Sequence, residues 1–128
     1  MDNQTGIVIV SHSDKIANGI KDLLKEVSEN IKVEAAGGTA AGGIGTSLDK
    51  IAEAIANVSS QKGVVVFYDI GSAKMNAELV IELNQWENVF VIDAPLVEGA
   101  YVAAVKTSIG KTADEIKREM EAEFPKCK

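Results

Sequence analysis

One cysteine, one histidine, two prolines and few aromatic side chains make up the scarce residues of this chain, and each scarcity removes a class of protein. The single thiol, Cys127 near the C-terminus, has no second cysteine to pair with, so no disulfide can form within the chain. A lone histidine and a lone cysteine do not supply the ligand set of a zinc centre, and no metal is expected on this chain. No repeat, low-complexity tract or Pro/Ser-rich linker divides the sequence. The longest apolar run, near Val64–Tyr68, falls far short of the ~20 residues that span a membrane. No charged-then-apolar leader opens the chain, so the expectation is a cytoplasmic protein. Positive charge is also short, with 13 basic against 19 acidic residues and a net charge of −6. Residues 1–110 carry that whole excess. An acidic domain without a basic stripe argues against nucleic acid as a partner.

What remains is a chain of 128 residues with 46% hydrophobic content, enough for one folded domain over 1–128 and too apolar for disorder. Two kinds of segment alternate. Gly6–Val10, Gly63–Phe67 and Val89–Ile92 are short β-branched runs, as in strands buried on both faces of a parallel sheet. Ile31–Ala35 alternates and reads as a half-exposed edge strand.

Helical spacing fills the gaps. Ile16, Ile20, Leu23, Leu24 and Val27 share a face behind Ser13 as N-cap. Leu48, Ile51, Ala52 and Ile55 follow Thr46-Ser47, and Met75, Leu79, Val80 and Leu83 follow Gly71-Ser72. Two more helices are expected near Glu98–Lys106 and Ala113–Glu123, separated at Gly110. The second carries the capping-box pair Thr112 and Glu115. Its mixed charges favour a packed helix over a membrane anchor. Trp86 reads as partial core or interface.

The order β-α-β-α-β-α-β-α-α, with right-handed crossovers, gives an open, doubly wound, mainly parallel α/β sheet of four strands in order 2-1-3-4, with helices on both faces. The fourth strand then lies at an edge although it is wholly apolar. A second copy of the chain in a homodimer is the expected cover.

Ligands of such sheets bind beyond the carboxyl ends of the strands, where the strand order reverses. Here that point lies between the ends of strands one and three, Val10-Ser11-His12-Ser13 and Tyr68-Asp69-Ile70-Gly71-Ser72. The only histidine and an aspartate therefore meet in one crevice. A free imidazole with a pKa near ~6.5 is mostly neutral at pH 7 and nucleophilic. A carboxylate that holds one ring nitrogen fixes the tautomer and leaves the other lone pair free.

Ser72, after Gly71, opens one helix at this crevice and Ser13 another. Helix N-termini offer free N–H groups and partial positive charge to a phosphoryl group, although both serines could serve as ordinary caps. The glycine-rich stretch Gly37–Gly45 fits neither phosphate loop. Ile44 stands where a Walker loop needs lysine, and Leu48 where the dinucleotide fingerprint needs its third glycine. The stretch reads as a backbone wall, a surface for close approach, or a mobile loop. Thr39 within it can line the crevice. Asp93 and Pro95 read mainly as a turn.

Val10-Ser-His12-Ser13, Gly37-Gly-Thr39, Gly45-Thr-Ser47, Asp69-Ile-Gly-Ser-Ala73 and Val97-Glu-Gly-Ala100, in this order, carry a family resemblance. The sequence resembles the phosphotransferase subunit of phosphoenolpyruvate-dependent dihydroxyacetone kinase, which is similar to the mannose-type enzyme IIA domain of the sugar phosphotransferase system. The resemblance implies a histidine phosphorylated at its distal ring nitrogen by the histidine-containing phosphocarrier protein. The phosphoryl group would then pass to ADP on a nucleotide-binding kinase subunit, with Mg²⁺ and nucleotide held by that partner and no cofactor on this chain. His12 matches the phosphorylated residue, Asp69 its orienting acid and Ser72 the serine beside it. The resemblance also implies a homodimer.

Ser13 stands where the mannose branch commonly has glycine, and Gly71-Ser-Ala-Lys74 where it has Gly-Gly-Ser-Pro. Both departures favour the dihydroxyacetone branch over a sugar-permease component. Fused phosphocarrier and enzyme I portions, present in some relatives, do not fit in 128 residues, so separate donor proteins are expected. Rival readings are a flavodoxin-like module for a nucleotide or other small molecule, and a two-component receiver. The receiver reading lacks the acidic cluster at the end of strand one.

Overall fold

The computed structural model describes residues 4–125, so Cys127 lies outside the described residues. Four strands and five helices alternate along the chain: β1 Gly6–Ser11, α1 Asp14–Leu24, β2 Val33–Gly37, α2 Leu48–Val58, β3 Val64–Tyr68, α3 Gly71–Asn84, β4 Val89–Val91, α4 Leu96–Ser108 and α5 Ala113–Glu123. The sheet is parallel throughout, in the order β2-β1-β3-β4. This is the expected doubly wound α/β arrangement.

Strand parity builds two cores. Ile7 and Ile9 of β1, with Val65 and Phe67 of β3, face one side with residues of α1, α4 and α5. Val8, Val10, Val64 and Val66 face the other with residues of α2 and α3. Both central strands are therefore apolar at every core position, which is why their sequence shows no alternation. No helix among the described residues is long and apolar enough to cross a membrane.

Two expectations need correction. The second strand begins two residues later than expected and runs to Gly37, and most of it is buried. Gly37 lies beneath the start of α1, where a Cβ would come within 2.7 Å of the Ser13 carbonyl oxygen. A glycine is needed for that close approach.

The helix faces also differ. On α3 the sheet is met by Ala73, Ala77 and Val80, while Met75, Leu79 and Leu83 are exposed. On α1, Ala17 is buried and Ile16 and Leu23 are exposed. Small side chains let these helices sit close to the sheet, so the largest apolar residues do not mark the buried face.

The ends of the helices follow the sequence more closely. Ser13 caps α1 and Ser47 caps α2. Thr112 and Glu115 form the capping box of α5. Gly110, with a φ of 93°, turns the chain between α4 and α5. Glu119 of α5 joins Lys106 and Lys111 at 2.7 and 2.8 Å, and these two ammonium groups lower its pKa to about 2.

Candidate active site

Register places the site. Val10 of β1 lies beside Tyr68 of β3, so the residues that follow each strand emerge side by side at the carboxyl edge. His12 and Asp69 meet there, with Nδ1 of the ring 3.0 Å from Asp69 Oδ1. The histidine side chain is 21% exposed and the aspartate 17%. The ring is thus held from behind and still open to a reactant.

Asp69 has a full set of donors. Oδ1 accepts from the Ile70 amide at 2.7 Å as well as from the ring. Oδ2 accepts from the Ser11 hydroxyl at 2.8 Å and the His12 amide at 2.9 Å. A carboxylate offers about four lone-pair positions, and all are used. Burial pushes this carboxyl up, but the His12 amide, the His12 ring, the Ser11 hydroxyl and the Ile70 amide together hold it below the ordinary value of 3.8. The acid is therefore ionised at neutral pH and accepts only. Nδ1 must then carry the proton of the neutral ring, which leaves Nε2 unprotonated, an acceptor with its lone pair turned away from Asp69. Ser72 Oγ lies 2.8 Å from Nε2 and donates to it in this tautomer.

Ser72 is not the N-cap of α3. That position belongs to Ile70, which makes no side-chain capping bond. Ser72 is the second residue of the helix, two past Ile70, so its hydroxyl is free to address the ring. The amides of Gly71 and Ser72 are among the first four of the helix, which have no intrahelical acceptor. They stand at the positive end of the helix dipole, beside the Ser72 hydroxyl that reaches Nε2.

The hydroxyls of Ser13 and Thr39, the other expected site residues, each accept from a nearby main-chain amide. Ser13 Oγ accepts from the Ile16 amide at 3.3 Å and caps α1. Thr39 Oγ1 accepts from the Gly43 amide at 2.9 Å and closes the glycine-rich loop on itself. That loop is strapped to the site. Gly38 N donates to the Ser11 carbonyl and Gly45 N to the His12 carbonyl, at 3.1 and 2.8 Å. Asn76 of α3 donates to Thr46 just beyond the loop. The loop is a backbone wall that ties the β1 end to α3.

Two features were not anticipated. Ser11 is fully buried, and its hydroxyl joins Asp69 to the Ser13 amide. Its parity at the end of a buried strand was the available signal. Asp93 does more than turn the chain. It accepts from Tyr68 Oη and from Lys74, whose ammonium lies 3.0 Å away. The bond to Asp93 outweighs partial burial and raises the Lys74 pKa. This cluster pins the first turn of α3, and with it Ser72, to the ends of β3 and β4.

The fold and this crevice define a doubly wound α/β protein with one histidine, backed by a carboxylate, at the strand-order switch point. The EIIA-man family, described as the PTS system fructose IIA component, matches residues 6–117, and the chain belongs to that family. It is similar to the PTS-dependent dihydroxyacetone kinase phosphotransferase subunit DhaM of Lactococcus lactis, with 44% identity over 91% of this chain and 93% of that one. A phosphoryl donor subunit DhaM of PEP-dependent dihydroxyacetone kinase 1 from Listeria innocua is 42% identical over 87% and 88% of the two chains. The Escherichia coli DhaM is 36% identical, and the match spans 25% of that longer protein. Among solved structures, a protein of unknown function, EF1359, superposes with a TM-score of 0.80 at 32% identity, over 93% of this chain and 94% of that one.

Proposed function

We propose that the protein is the phosphoryl donor subunit of a phosphoenolpyruvate-dependent dihydroxyacetone kinase, with His12 as the residue that carries the phosphoryl group. The observation that carries the reading is the ring itself: Nδ1 is held 3.0 Å from an ionised Asp69, and Nε2 is turned to Ser72 at 2.8 Å. The names of the similar DhaM subunits support the same role.

The donor is the histidine-containing phosphocarrier protein. The Nε2 lone pair attacks phosphorus, an Nε2–P bond forms, and the donor's N–P bond breaks with its electron pair left on the donor ring. Asp69 stabilises the positive charge that grows on the His12 ring. The Ser72 hydroxyl and the amides of Gly71 and Ser72 receive the phosphoryl oxygens. In the second transfer, a terminal oxygen of ADP on the kinase subunit attacks phosphorus, and the Nε2–P electron pair returns to the ring. Both steps rest on positioning and charge stabilisation. Ile44 before Gly45, Ile70 after Asp69 and Met75 in α3 are 79%, 57% and 69% exposed. These apolar side chains beside the site suit protein surfaces better than a free small substrate.

The test is to incubate the purified chain with phosphoenolpyruvate, enzyme I and the phosphocarrier, then add the ADP-loaded kinase subunit. The expected product is one acid-labile, base-stable phosphate per chain on His12, which then moves to ADP. A base-labile label, or none, overturns the reading.

A second copy of the chain is the proposed cover of the β4 edge. Asn88 and Ile92 turn main-chain groups to β3, so Val89 and Val91, of opposite parity, turn theirs outward. A cleft of about 670 Å³ lined by Ile81, Trp86 and Phe90 opens beside this edge. Light scattering should give twice the chain mass for the native protein and the single-chain mass for Val91→Pro. A native monomer at micromolar concentration removes the dimer.

A further inference from the structure

We propose that Ser11 is a positioning residue for the group transfer, acting through Asp69 to set which nitrogen of His12 is reactive. The inference rests on the phosphoryl-carrier reading for its purpose, but the geometry that carries it is independent of any partner.

Ser11 is the last residue of β1 and fully buried. A serine hydroxyl has one proton to give. The Ser13 amide, 3.0 Å away, can only donate, so Ser11 Oγ accepts there. Its own proton is then committed to Asp69 Oδ2 at 2.8 Å. The direction of both bonds is fixed without reference to any tautomer.

This places a single hydroxyl between two parts of the site. On one side it holds the amide of Ser13, the N-cap of α1. On the other it fixes one oxygen of the carboxylate, with the His12 amide as that oxygen's second donor. The plane of the carboxylate is thereby set, and Oδ1 is left aimed at Nδ1 and the Ile70 amide. Without the hydroxyl, Oδ2 keeps one donor and the carboxylate gains freedom to turn about its terminal torsion, which is broad for this side chain. The Nδ1–H bond then loses its fixed acceptor, and the proton can shift to Nε2. That shift blocks the reactive lone pair.

The test compares native protein with Ser11→Ala. Ring ¹⁵N spectra of the single histidine report the tautomer, and potassium phosphoramidate serves as a chemical phosphate donor. With phosphoramidate, Nε2–P forms, the donor's P–N bond breaks and ammonia leaves. The native ring should be the Nδ1–H tautomer, labelled at Nε2. Ser11→Ala should show a mixed tautomer population and label at least about tenfold more slowly, with some product at Nδ1. Ser11→Cys fills nearly the same space with a weaker donor and should shift the same signals. It decides the matter if the alanine chain does not fold. Folded Ser11 variants whose tautomer and labelling pattern match the native protein overturn the inference. A native chain that shows the Nδ1–H tautomer yet takes no phosphate from the phosphocarrier would instead overturn the carrier reading and leave the role of Ser11 in ring geometry intact.

Discussion

His12→Gln is expected to abolish phosphate uptake. Glutamine has about the right reach, and its amide N–H can still donate to Asp69. It has no ring nitrogen with a free lone pair, so nothing in the crevice can bond to phosphorus. The histidine backbone amide, which donates to Asp69 Oδ2 at 2.9 Å, survives the change. The side chain is partly exposed and belongs to neither core, so the substituted chain should melt close to the native temperature. Labelling from phosphoenolpyruvate through the general enzymes should drop to background, a loss of at least about 10⁴-fold. Label retained at native levels in His12→Gln would place the phosphate elsewhere and remove the mechanism.

Asp69→Ala should fold and transfer slowly. The substitution removes the acceptor of four donors at once: Ser11 Oγ, the His12 amide, the Ile70 amide and the ring Nδ1. The ring loses its fixed tautomer and the charge that offsets its own during attack. Rapid-quench transfer from the phosphocarrier should slow by roughly 10²–10⁴-fold. Stability at pH 7 should fall by about 1–3 kcal/mol, since buried donors lose their acceptor.

The pH dependence separates charge from packing. The folded pKa of Asp69 lies below the ordinary 3.8. Its contribution is therefore complete well above that value and fades as pH falls through it toward the lower folded pKa. The difference in unfolding free energy between native protein and Asp69→Ala, measured by urea titration, should narrow below pH 3.8. A difference independent of pH, together with native transfer rates, would reduce Asp69 to a spacer.

The sheet and the pairing of His12 with Asp69 were legible because they follow from coarse features. The β-branched runs set the strands, the helices between them force right-handed parallel crossovers, and the switch point then selects two strand ends. Finer assignments depended on contacts that hydrophobicity does not encode. Met75, Leu79 and Leu83 look like a buried stripe, yet Ala73 and Ala77 take that place because α3 lies close to the sheet. Ser72 looks like a cap, yet Ile70 holds the cap position and frees the hydroxyl for the ring. For Ser11 the sequence offers only its parity at the end of an apolar strand, which does not say what its hydroxyl meets. Only the neighbouring strand's Asp69 gives it a purpose.

His12 is fastened on both flanks of its own peptide chain: the amide by Asp69, the carbonyl by Gly45. A cargo loaded onto such an anchored ring travels nowhere by itself, unlike one carried on a swinging arm. On the proposed reading, giver and receiver must therefore queue for the same berth, and throughput is capped by how quickly each vacates it.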